Sequence, residues 1–230
     1  MDSPFPSPQP VVIVMVKAPR PGDVKTRLTP PLSPACAASL AAAFAQDVVT
    51  NACQACAQVL VAYAPADGLA TLAPLLPSAT LWVEQQGADL GARMDNAMAY
   101  AQAQGFGPLV VIGTDSPTLP PSYLERALDA LLSADADMTI GAGDDGGYYL
   151  VGTRRRTPGL FADVAWSTPS ACAQTVANGE RLGLRPLRLP LWYDIDTFDD
   201  LVRLQSELKA DEGQRLRAPK TYAWLQANPV

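Results

Sequence analysis

Short apolar segments alternate along this chain with longer helical patterns, and this alternation limits the possible fold. Strands are predicted at 11–16, 59–63, 80–83, 109–112, 138–142, 148–151 and 185–189. Helices are predicted at 34–55, 67–75, 89–104, 120–133, 170–182 and 198–210. Strands that alternate with helices of about ten or more residues form a mostly parallel sheet with helices on both faces. The predicted fold class is therefore α/β, a three-layer α/β/α arrangement of the Rossmann-like kind.

The chain has 230 residues, which suits one α/β domain. Residues 1–10 carry proline at every second position from Pro4 to Pro10 and are expected to be a disordered lead-in. A single domain is predicted over 11–230, because no internal repeat or linker divides it. The net charge of −6 argues against nucleic acid as a partner. No apolar stretch reaches the roughly 20 residues that span a bilayer, so we expect no membrane partner and a cytoplasmic location.

The chain contains no histidine. This excludes Ser-His-Asp and Cys-His catalysis and every metal site with a histidine ligand. A general base must then be a carboxylate, a lysine or the substrate itself. A bound metal must lie among oxygen atoms, which favours Mg²⁺ or Mn²⁺. The four cysteines are expected to be free thiols, buried or half-buried.

Positive charge is concentrated in the loop after the first strand. Four of the 17 Lys and Arg residues lie in this loop, namely Lys17, Arg20, Lys25 and Arg27. A buried strand that leads into clustered cations and Gly22 suits an anionic ligand, most simply a di- or triphosphate. Lys25 would act as a point charge, while arginines can bind phosphate in a bidentate manner. The alternative is a solvated surface loop whose cations balance nearby acids.

Acidic residues follow two later strands. Asp115 lies three residues after the end of the strand 109–112, and Pro117 stiffens the turn behind it. Asp194 and Asp196 point to the same side of an extended segment. These three carboxylates are candidates for a metal site, although Asp115 could instead cap its own turn. Asp199 and Asp200 fall in the first turn of the next helix, where acids are favourable to the helix dipole, with Thr197 or Asp196 as the N-cap.

Two further segments carry candidate substrate contacts. The turn 144–147 has two acids and two glycines, so the backbone could approach an acceptor, with Asp145 or Tyr148 in contact with it. It could equally be a plain hairpin turn. The segment 85–93 leads from a strand into a helix, and its amide side chains could read a base edge, or Asp89 could simply cap that helix. The loops after Val16, Val83, Ile112 and Leu189 are expected to converge on one crevice, at the carboxyl ends of the strands.

Taken together, these motifs resemble a known family, the bacterial DUF2064 proteins, placed in the GT-A superfamily of nucleotide-diphospho-sugar transferases. The resemblance extends from residue 11 to 204 and rests on KAPRPGDVKTRL, QGADLGARM, GTDSPTLP, DDGGYYLVG and DIDTFDDL. More distantly, the motifs resemble 2-phospholactate guanylyltransferases and molybdenum-cofactor nucleotidyltransferases. The resemblance implies a GT-A fold with a mostly parallel sheet.

The resemblance also implies roles for individual residues. Lys25 would contact the nucleotide phosphates with Gly22 and Arg27 beside it, and Gln86 would face the base. Asp115 would bind the metal, and Asp196 would complete the metal site. The chain departs from the superfamily in having Ala92 after Gly91, where its nucleotidyltransferases usually have Gly-Thr. It also has Asp115-Ser116-Pro117 where glycosyltransferases of this fold usually have Asp-x-Asp, which favours nucleotidyl transfer.

The predicted site residues fall into four groups that share residues. For catalysis they are Lys25, Arg27 and Asp115. For nucleotide binding they are Lys17, Arg20, Gly22, Lys25, Thr26, Gln86 and Gly91. For the acceptor they are Asp145, Gly146, Gly147 and Tyr148, and for Mg²⁺ or Mn²⁺ they are Asp115, Asp194 and Asp196.

Three functions follow as hypotheses. The preferred one is nucleotidyl transfer from a nucleoside triphosphate to a phosphorylated small-molecule acceptor, with release of pyrophosphate. The acceptor is then expected to be anionic, and its phosphate needs no strong base. The alternative is a glycosyltransferase that uses a nucleotide-sugar donor, with Asp145 as a possible base. A non-catalytic nucleotide-binding domain is the third.

Overall fold

The computed structural model describes residues 8–78 and 80–228, so the first seven residues of the predicted lead-in lie outside the description. Within these residues, seven strands form one sheet: β1 (Val11–Lys17), β2 (Val59–Ala64), β3 (Leu81–Glu84), β4 (Leu109–Ile112), β5 (Met138–Ala142), β6 (Tyr148–Thr153) and β7 (Pro186–Arg188). The same residues contain eight α-helices: α1 (Pro34–Ala55), α2 (Leu69–Leu72), α3 (Leu90–Ala103), α4 (Pro121–Leu132), α5 (Ala171–Arg181), α6 (Phe198–Ala210), α7 (Glu212–Arg217) and α8 (Pro219–Ala227).

The strand order in the sheet is β3-β2-β1-β4-β6-β5-β7. All pairings are parallel except those of β6, which runs antiparallel to both β4 and β5. β6 is reversed because the short turn 143–147 joins it to β5 as a hairpin. The predicted α/β class with a mostly parallel sheet is confirmed.

Helices cover both faces of the sheet, as the continuous apolar strands require. On β1, Val12 and Val14 pack on the face covered by α1 and α4. Val11 and Ile13 point to the opposite face, which α3 and α5 cover. Successive side chains of a strand point to opposite sides, so one apolar run is buried by two helical layers. The three-layer prediction is confirmed.

Local sequence signals fix the starts of two long helices. Ser33 accepts a hydrogen bond from the Cys36 N–H at 3.2 Å and begins α1, with proline in the first helical position. Thr197 begins α6 and forms a capping box with Asp200. Both caps confirm the predictions. The helix predicted at 67–75 is shorter, ending after Leu72, because Pro74 has no N–H to continue it.

Helices α7 and α8 were not predicted, since segments of six and nine residues are too short to show a helical period. Helices α6 and α8 pack with α1 around a third apolar cluster, and α7 connects these two helices without a buried residue of its own. This third cluster consists of Leu28, Leu40, Phe44, Tyr193, Ile195, Leu201, Leu204, Leu208, Ala218 and Leu225. No helix in residues 8–78 and 80–228 has the length and apolar character that crossing a membrane needs.

Asp47 of α1 attaches α8 to the rest of the fold. Its carboxylate accepts hydrogen bonds from the backbone N–H groups of Lys220 at 3.0 Å and Thr221 at 2.7 Å. The residue before α8 is Ala218, which has no side chain to cap the helix. Asp47 is 2% exposed, so it supplies from α1 the cap that the helix itself lacks.

Replacing Asp47 by alanine should therefore destabilise the protein. We expect Asp47→Ala to lower the free energy of unfolding by about 2–4 kcal/mol, because two N–H groups lose their acceptor in a buried place. Urea unfolding followed by circular dichroism measures this. Glu180→Ala, at an exposed position of α5, is the control and should change stability by less than about 0.5 kcal/mol. Equal effects of the two variants would contradict the capping role.

Candidate functional site

A cavity of about 730 Å³ opens at the carboxyl edge of the parallel strands. The loops after β1, β3 and β4 and the segment after β7 all contribute to its lining. These contributions are 23–27, Gln85, 113–116, Asp194 and Asp196. The predicted convergence on one crevice is confirmed, and it follows from the shared direction of these strands.

Lys25 is part of this lining, and its ammonium group contacts oxygen atoms from two other segments. Its Nζ is 2.6 Å from Asp115 Oδ1 and 3.3 Å from Asp196 Oδ1, and it donates a hydrogen bond to the Ile195 carbonyl at 2.6 Å. The Lys25 side chain is 7% exposed, whereas the two carboxylates are 45% and 39% exposed. The structure therefore joins the predicted phosphate loop to the predicted metal ligands through one ion-paired group.

The backbone around Lys25 is held in an uncommon conformation. Lys25 has φ 48° and ψ 38°, in the left-handed region, and a short 3₁₀ helix, Thr26–Leu28, begins directly after it. A non-glycine residue in this region costs about 1 kcal/mol or more, so the surroundings must fix it. Leu28 is fully buried in the third cluster, and Phe44 of that cluster places its ring centroid 5.5 Å from Nζ. The loop is thus anchored by Leu28 after its turn and by the contact of Phe44 with the Lys25 side chain.

Lys25 is charged in this environment. Burial alone would lower the pKa of Lys25, but the carboxylates of Asp115 and Asp196 more than offset this and raise it above its ordinary value. The group is an ammonium ion with three oxygen partners.

We call Lys25, Asp115 and Asp196 together the junction. Asp194 lies beside it, in a different protonation environment. Burial raises the pKa of Asp194 to about 6, and the nearby carboxylates of Asp115 and Asp196 raise it as well. Its Oδ1 is 2.5 Å from the Ser116 hydroxyl, which also lies 2.9 Å from the Tyr193 carbonyl. A hydroxyl has one proton for these two acceptors. The hydrogen bond that Ser116 donates to Asp194 favours the carboxylate form, so it lowers the pKa of Asp194 and offsets part of the rise.

The oxygen atoms around Lys25 are of the kind that Mg²⁺ and Mn²⁺ prefer. No group of three or more Asp, Glu, Cys or His side chains within the described residues is arranged to hold a metal ion. Two carboxylates, Asp115 and Asp196, nevertheless converge on one cationic centre, with Asp194 in the same lining. This donor set fits a divalent ion if the ammonium of Lys25 moves away.

The other residues of the first loop divide into two groups. Lys17, Thr26 and Arg27 line the cavity, and Arg27 Nη1 lies 3.3 Å from Asp196 Oδ2. Arg20 instead forms an ion pair with Asp67 at 2.8 Å, and neither Arg20 nor Gly22 is part of the lining. The local charge excess therefore has a mixed cause: three cations face the cavity and the fourth balances a surface acid.

In the segment after β3, the cavity is lined by Gln85 rather than Gln86. The Gln85 amide donates to the carbonyls of Val16 and Ala62, at 3.2 and 2.7 Å, and so ties the strand ends together. Asp89 caps α3 by accepting from the Ala92 N–H at 2.8 Å, as the capping alternative predicts.

Gly91 does not line the cavity, but packs under it. A Cβ there would lie 2.6 Å from the Trp166 ring, so close packing requires glycine. The role of Gln86 and Gly91 in nucleotide binding stays a prediction.

Three of the predicted acceptor residues line the cavity: Asp145 and Gly147 in the turn 144–147, and Tyr148 at the start of β6. Asp145 Oδ1 accepts from the Gly147 N–H at 2.8 Å and closes the turn. Gly146 lies outside the lining with φ 85°, and a Cβ on it would lie 2.6 Å from the Pro169 Cα. The turn is thus a hairpin turn whose side chains also face the cavity.

The segment 166–169 lines the cavity and had no role in the sequence-based site. It consists of Trp166, Ser167, Thr168 and Pro169. The ring of Trp166 lies edge to face with the ring of Tyr148, with centroids 6.3 Å apart. We call residues 145–148 and 166–169 together the acceptor wall. Gly91 and Gly146 are the sequence features connected with this segment, because it packs against both of them. The sequence alone does not show what these glycines contact.

Comparison with known proteins agrees with this geometry. The family model described as "Uncharacterized protein conserved in bacteria (DUF2064)" matches residues 48–168. A crystal structure from Desulfovibrio desulfuricans G20, whose name assigns it provisionally to the nucleotide-diphospho-sugar transferases, is 34% identical, with a TM-score of 0.85. The match covers 96% of this chain and 95% of that one. No curated protein matches the chain.

Two more distant structures share the fold. Rv0371C from Mycobacterium tuberculosis H37Rv, solved as a complex with manganese, is 20% identical with a TM-score of 0.52, covering 86% of this chain and 98% of that one. A cytidylyltransferase from Leptospira borgpetersenii is 12% identical with a TM-score of 0.57, covering 96% and 95%. These likenesses confirm the GT-A-like architecture that the motifs imply.

The raised pKa of Asp194 predicts a pH dependence of stability. The folded chain keeps a proton on Asp194 up to about pH 6, whereas the unfolded carboxyl, with a pKa of 3.8, releases it earlier. The stabilisation that the folded state gains from this proton is therefore complete below the unfolded pKa, and it is lost as the pH rises through about 6. We expect Asp194→Asn to gain about 2 kcal/mol of unfolding free energy relative to the unmodified protein between about pH 4 and pH 7.

Urea unfolding at several pH values, with a chelator present, measures this gain. Asp199→Asn, an exposed acid of α6, controls for the loss of one charge. Parallel stability curves for Asp194→Asn and the unmodified protein would show that Asp194 does not carry the effect.

Proposed function

The chain belongs to the DUF2064 family, and from that premise we propose that it is a divalent-metal-dependent transferase acting on a nucleotide substrate. One observation carries the proposal: a cavity at the carboxyl edge of the sheet brings cationic residues of the first loop against a pair of carboxylates. Lys25, Asp115 and Asp196 form that junction. Phosphate and a divalent ion are the ligands that such a pairing of cations with carboxylates suits.

The specific reaction that we propose is nucleotidyl transfer. A nucleoside triphosphate reacts with a phosphorylated small molecule, the bond between the α- and β-phosphates breaks, and pyrophosphate leaves. The attacking phosphate oxygen is already ionised, so no strong base is needed, which suits a chain without histidine. The cytidylyltransferase of the same fold supports this reaction class.

Asp115 and Asp196 would hold Mg²⁺ or Mn²⁺, with Asp194 beside them. When bound, the ion would neutralise charge on the phosphate that is attacked. The manganese complex of Rv0371C supports a divalent ion in this fold. On the chain's own side, Lys17, Lys25 and Arg27 would bind the phosphates and stabilise the pyrophosphate that leaves. We propose that residues 11–230 do this as one domain, since the third cluster packs α6 and α8 with α1.

Glycosyl transfer from a nucleotide sugar is a second candidate, and the acceptor wall favours it. Its lining residues within the described chain include no Lys or Arg, and they do include the exposed carboxylate of Asp145. A phosphorylated acceptor would be expected to find a cation there, whereas a hydroxyl acceptor needs a base. The name of the Desulfovibrio relative is consistent with this reaction.

Ligand binding separates the proposed transferase from a non-catalytic domain. We expect nucleoside triphosphates or nucleotide sugars to raise the melting temperature only with Mg²⁺ or Mn²⁺ present, because ligands that bind the folded state stabilise it. Asp115→Asn should remove that shift and lower turnover by about a hundredfold or more. Asp199→Asn should leave both unchanged. A thermal-shift screen with and without metal measures this, and no shift with any ligand would overturn the transferase assignment.

A substitution at Asp145 separates the two reactions. Asparagine keeps the acceptor oxygen that closes the turn with the Gly147 N–H, but it cannot take a proton. Asp145→Asn should lower glycosyl transfer by about 10²–10⁴-fold, and it should lower nucleotidyl transfer by less than about tenfold. Glycosyl transfer is measured as release of nucleoside diphosphate, and nucleotidyl transfer as release of pyrophosphate. For each reaction the donor is the nucleotide sugar or the triphosphate that gives the largest thermal shift. Pyrophosphate release that depends strongly on Asp145 would contradict the nucleotidyl mechanism.

A further inference from the structure

The environment of the Lys25 ammonium resembles the ligand shell of a small cation. Three oxygen atoms surround Nζ, from the side chains of Asp115 and Asp196 and from the Ile195 carbonyl. The nearest two are at 2.6 Å. These oxygen atoms therefore form a cation site that the Lys25 ammonium occupies.

The same carboxylates are the proposed metal ligands. The ammonium of Lys25 lies 2.6 Å from Asp115 Oδ1. A metal ion bound to that oxygen would take the place of the ammonium or lie directly beside it. Two cations this close repel each other strongly in a cavity that is partly shielded from water. Lys25 and a divalent ion thus compete for Asp115 and Asp196.

We propose that Lys25 is a tethered cation that occupies the metal position in the free protein and leaves it when metal and phosphate arrive together. The proposal rests on the function proposed above. A metal ion alone would have to displace Lys25 from both of its carboxylate partners and would offer it no replacement. A metal ion that brings a diphosphate offers the ammonium new anionic partners. Metal and diphosphate should therefore bind cooperatively, and the metal alone should bind weakly.

The local structure allows the side chain to move while the backbone stays. The backbone of Lys25 is fixed by the 3₁₀ turn that follows it and by the buried Leu28. Its side chain lines the cavity, and the carboxylates that it contacts are 45% and 39% exposed. An incoming ion can reach these oxygens from the cavity, and the lysine stem can rotate without unfolding the loop.

Metal binding to the free protein tests the competition. The probe is Mn²⁺, titrated by calorimetry with and without inorganic pyrophosphate, which serves as a diphosphate without a base. Without pyrophosphate, Lys25→Met should bind Mn²⁺ about tenfold more tightly than the unmodified protein. With pyrophosphate, that advantage should vanish or reverse, because Lys25 then helps to bind the phosphates. Lys209→Met, which removes an exposed lysine of α6, should match the unmodified protein.

Chemical labelling of the unmodified protein gives a direct readout that does not depend on how a variant folds. Lys25, at 7% side-chain exposure, should react slowly with an acetylating reagent, as measured by peptide mass spectrometry. Saturating Mg²⁺ should raise its labelling rate about fivefold or more, and added pyrophosphate should lower it again. Exposed Lys209 is the internal reference and should label at a constant rate.

The outcomes separate this inference from the proposed function. If Mn²⁺ and pyrophosphate bind the unmodified protein but Lys25→Met binds Mn²⁺ no more tightly, the tethered-cation proposal is overturned and the transferase assignment stands. Constant labelling of Lys25 under saturating Mg²⁺ overturns it as well, because a tighter variant would then reflect charge alone. If neither ligand binds either protein, the proposed function itself fails, and the inference with it.

Discussion

The ion-paired ammonium of Lys25 is the interaction on which the arrangement of the site depends. It links three segments that are distant in the sequence: the loop after β1, the loop after β4 and the segment after β7. A buried charge is costly unless several polar partners surround it, and here two carboxylates and a carbonyl do so. Neither Asp115 nor Asp196 is fully buried, so the cost of removing them from water is limited. The junction can therefore hold the loops together and still open.

The third cluster fixes both ends of this junction. Leu28, three residues after Lys25, and Ile195, directly before Asp196, are both fully buried in it. The cluster forms where α6 and α8 pack with α1. Helices that contribute no side chain to the cavity therefore still determine where its charges lie. The family model matches residues 48–168, which contain Asp115 and Asp145. Lys25 and Asp196 lie on either side of that stretch and meet only through the fold.

Sequence reasoning was most reliable where the signal is local. The buried strands, the Ser33 and Thr197 caps and the convergence of the strand-end loops all follow from short patterns and from strand direction. It failed where the outcome depends on partners far along the chain. Arg20 belongs to a cationic cluster by composition, yet it pairs with Asp67 on the surface. The segment 166–169 reached the cavity without a strand end or a charge to mark it.

The cationic residues of the first loop and the acceptor wall bear on different parts of the reaction. Nucleotidyl and glycosyl transfer both start from a phosphate-bearing nucleotide, so Lys17, Lys25 and Arg27 would serve either one. The reactions differ in the acceptor, which must find a cation if it is a phosphate and a base if it is a hydroxyl. The residues that decide between them therefore belong to the acceptor wall. That wall is shaped by Gly146 packing against Pro169, a contact that local patterns in the sequence do not reveal. This is why the sequence points strongly to a nucleotide but only weakly to what is done with it.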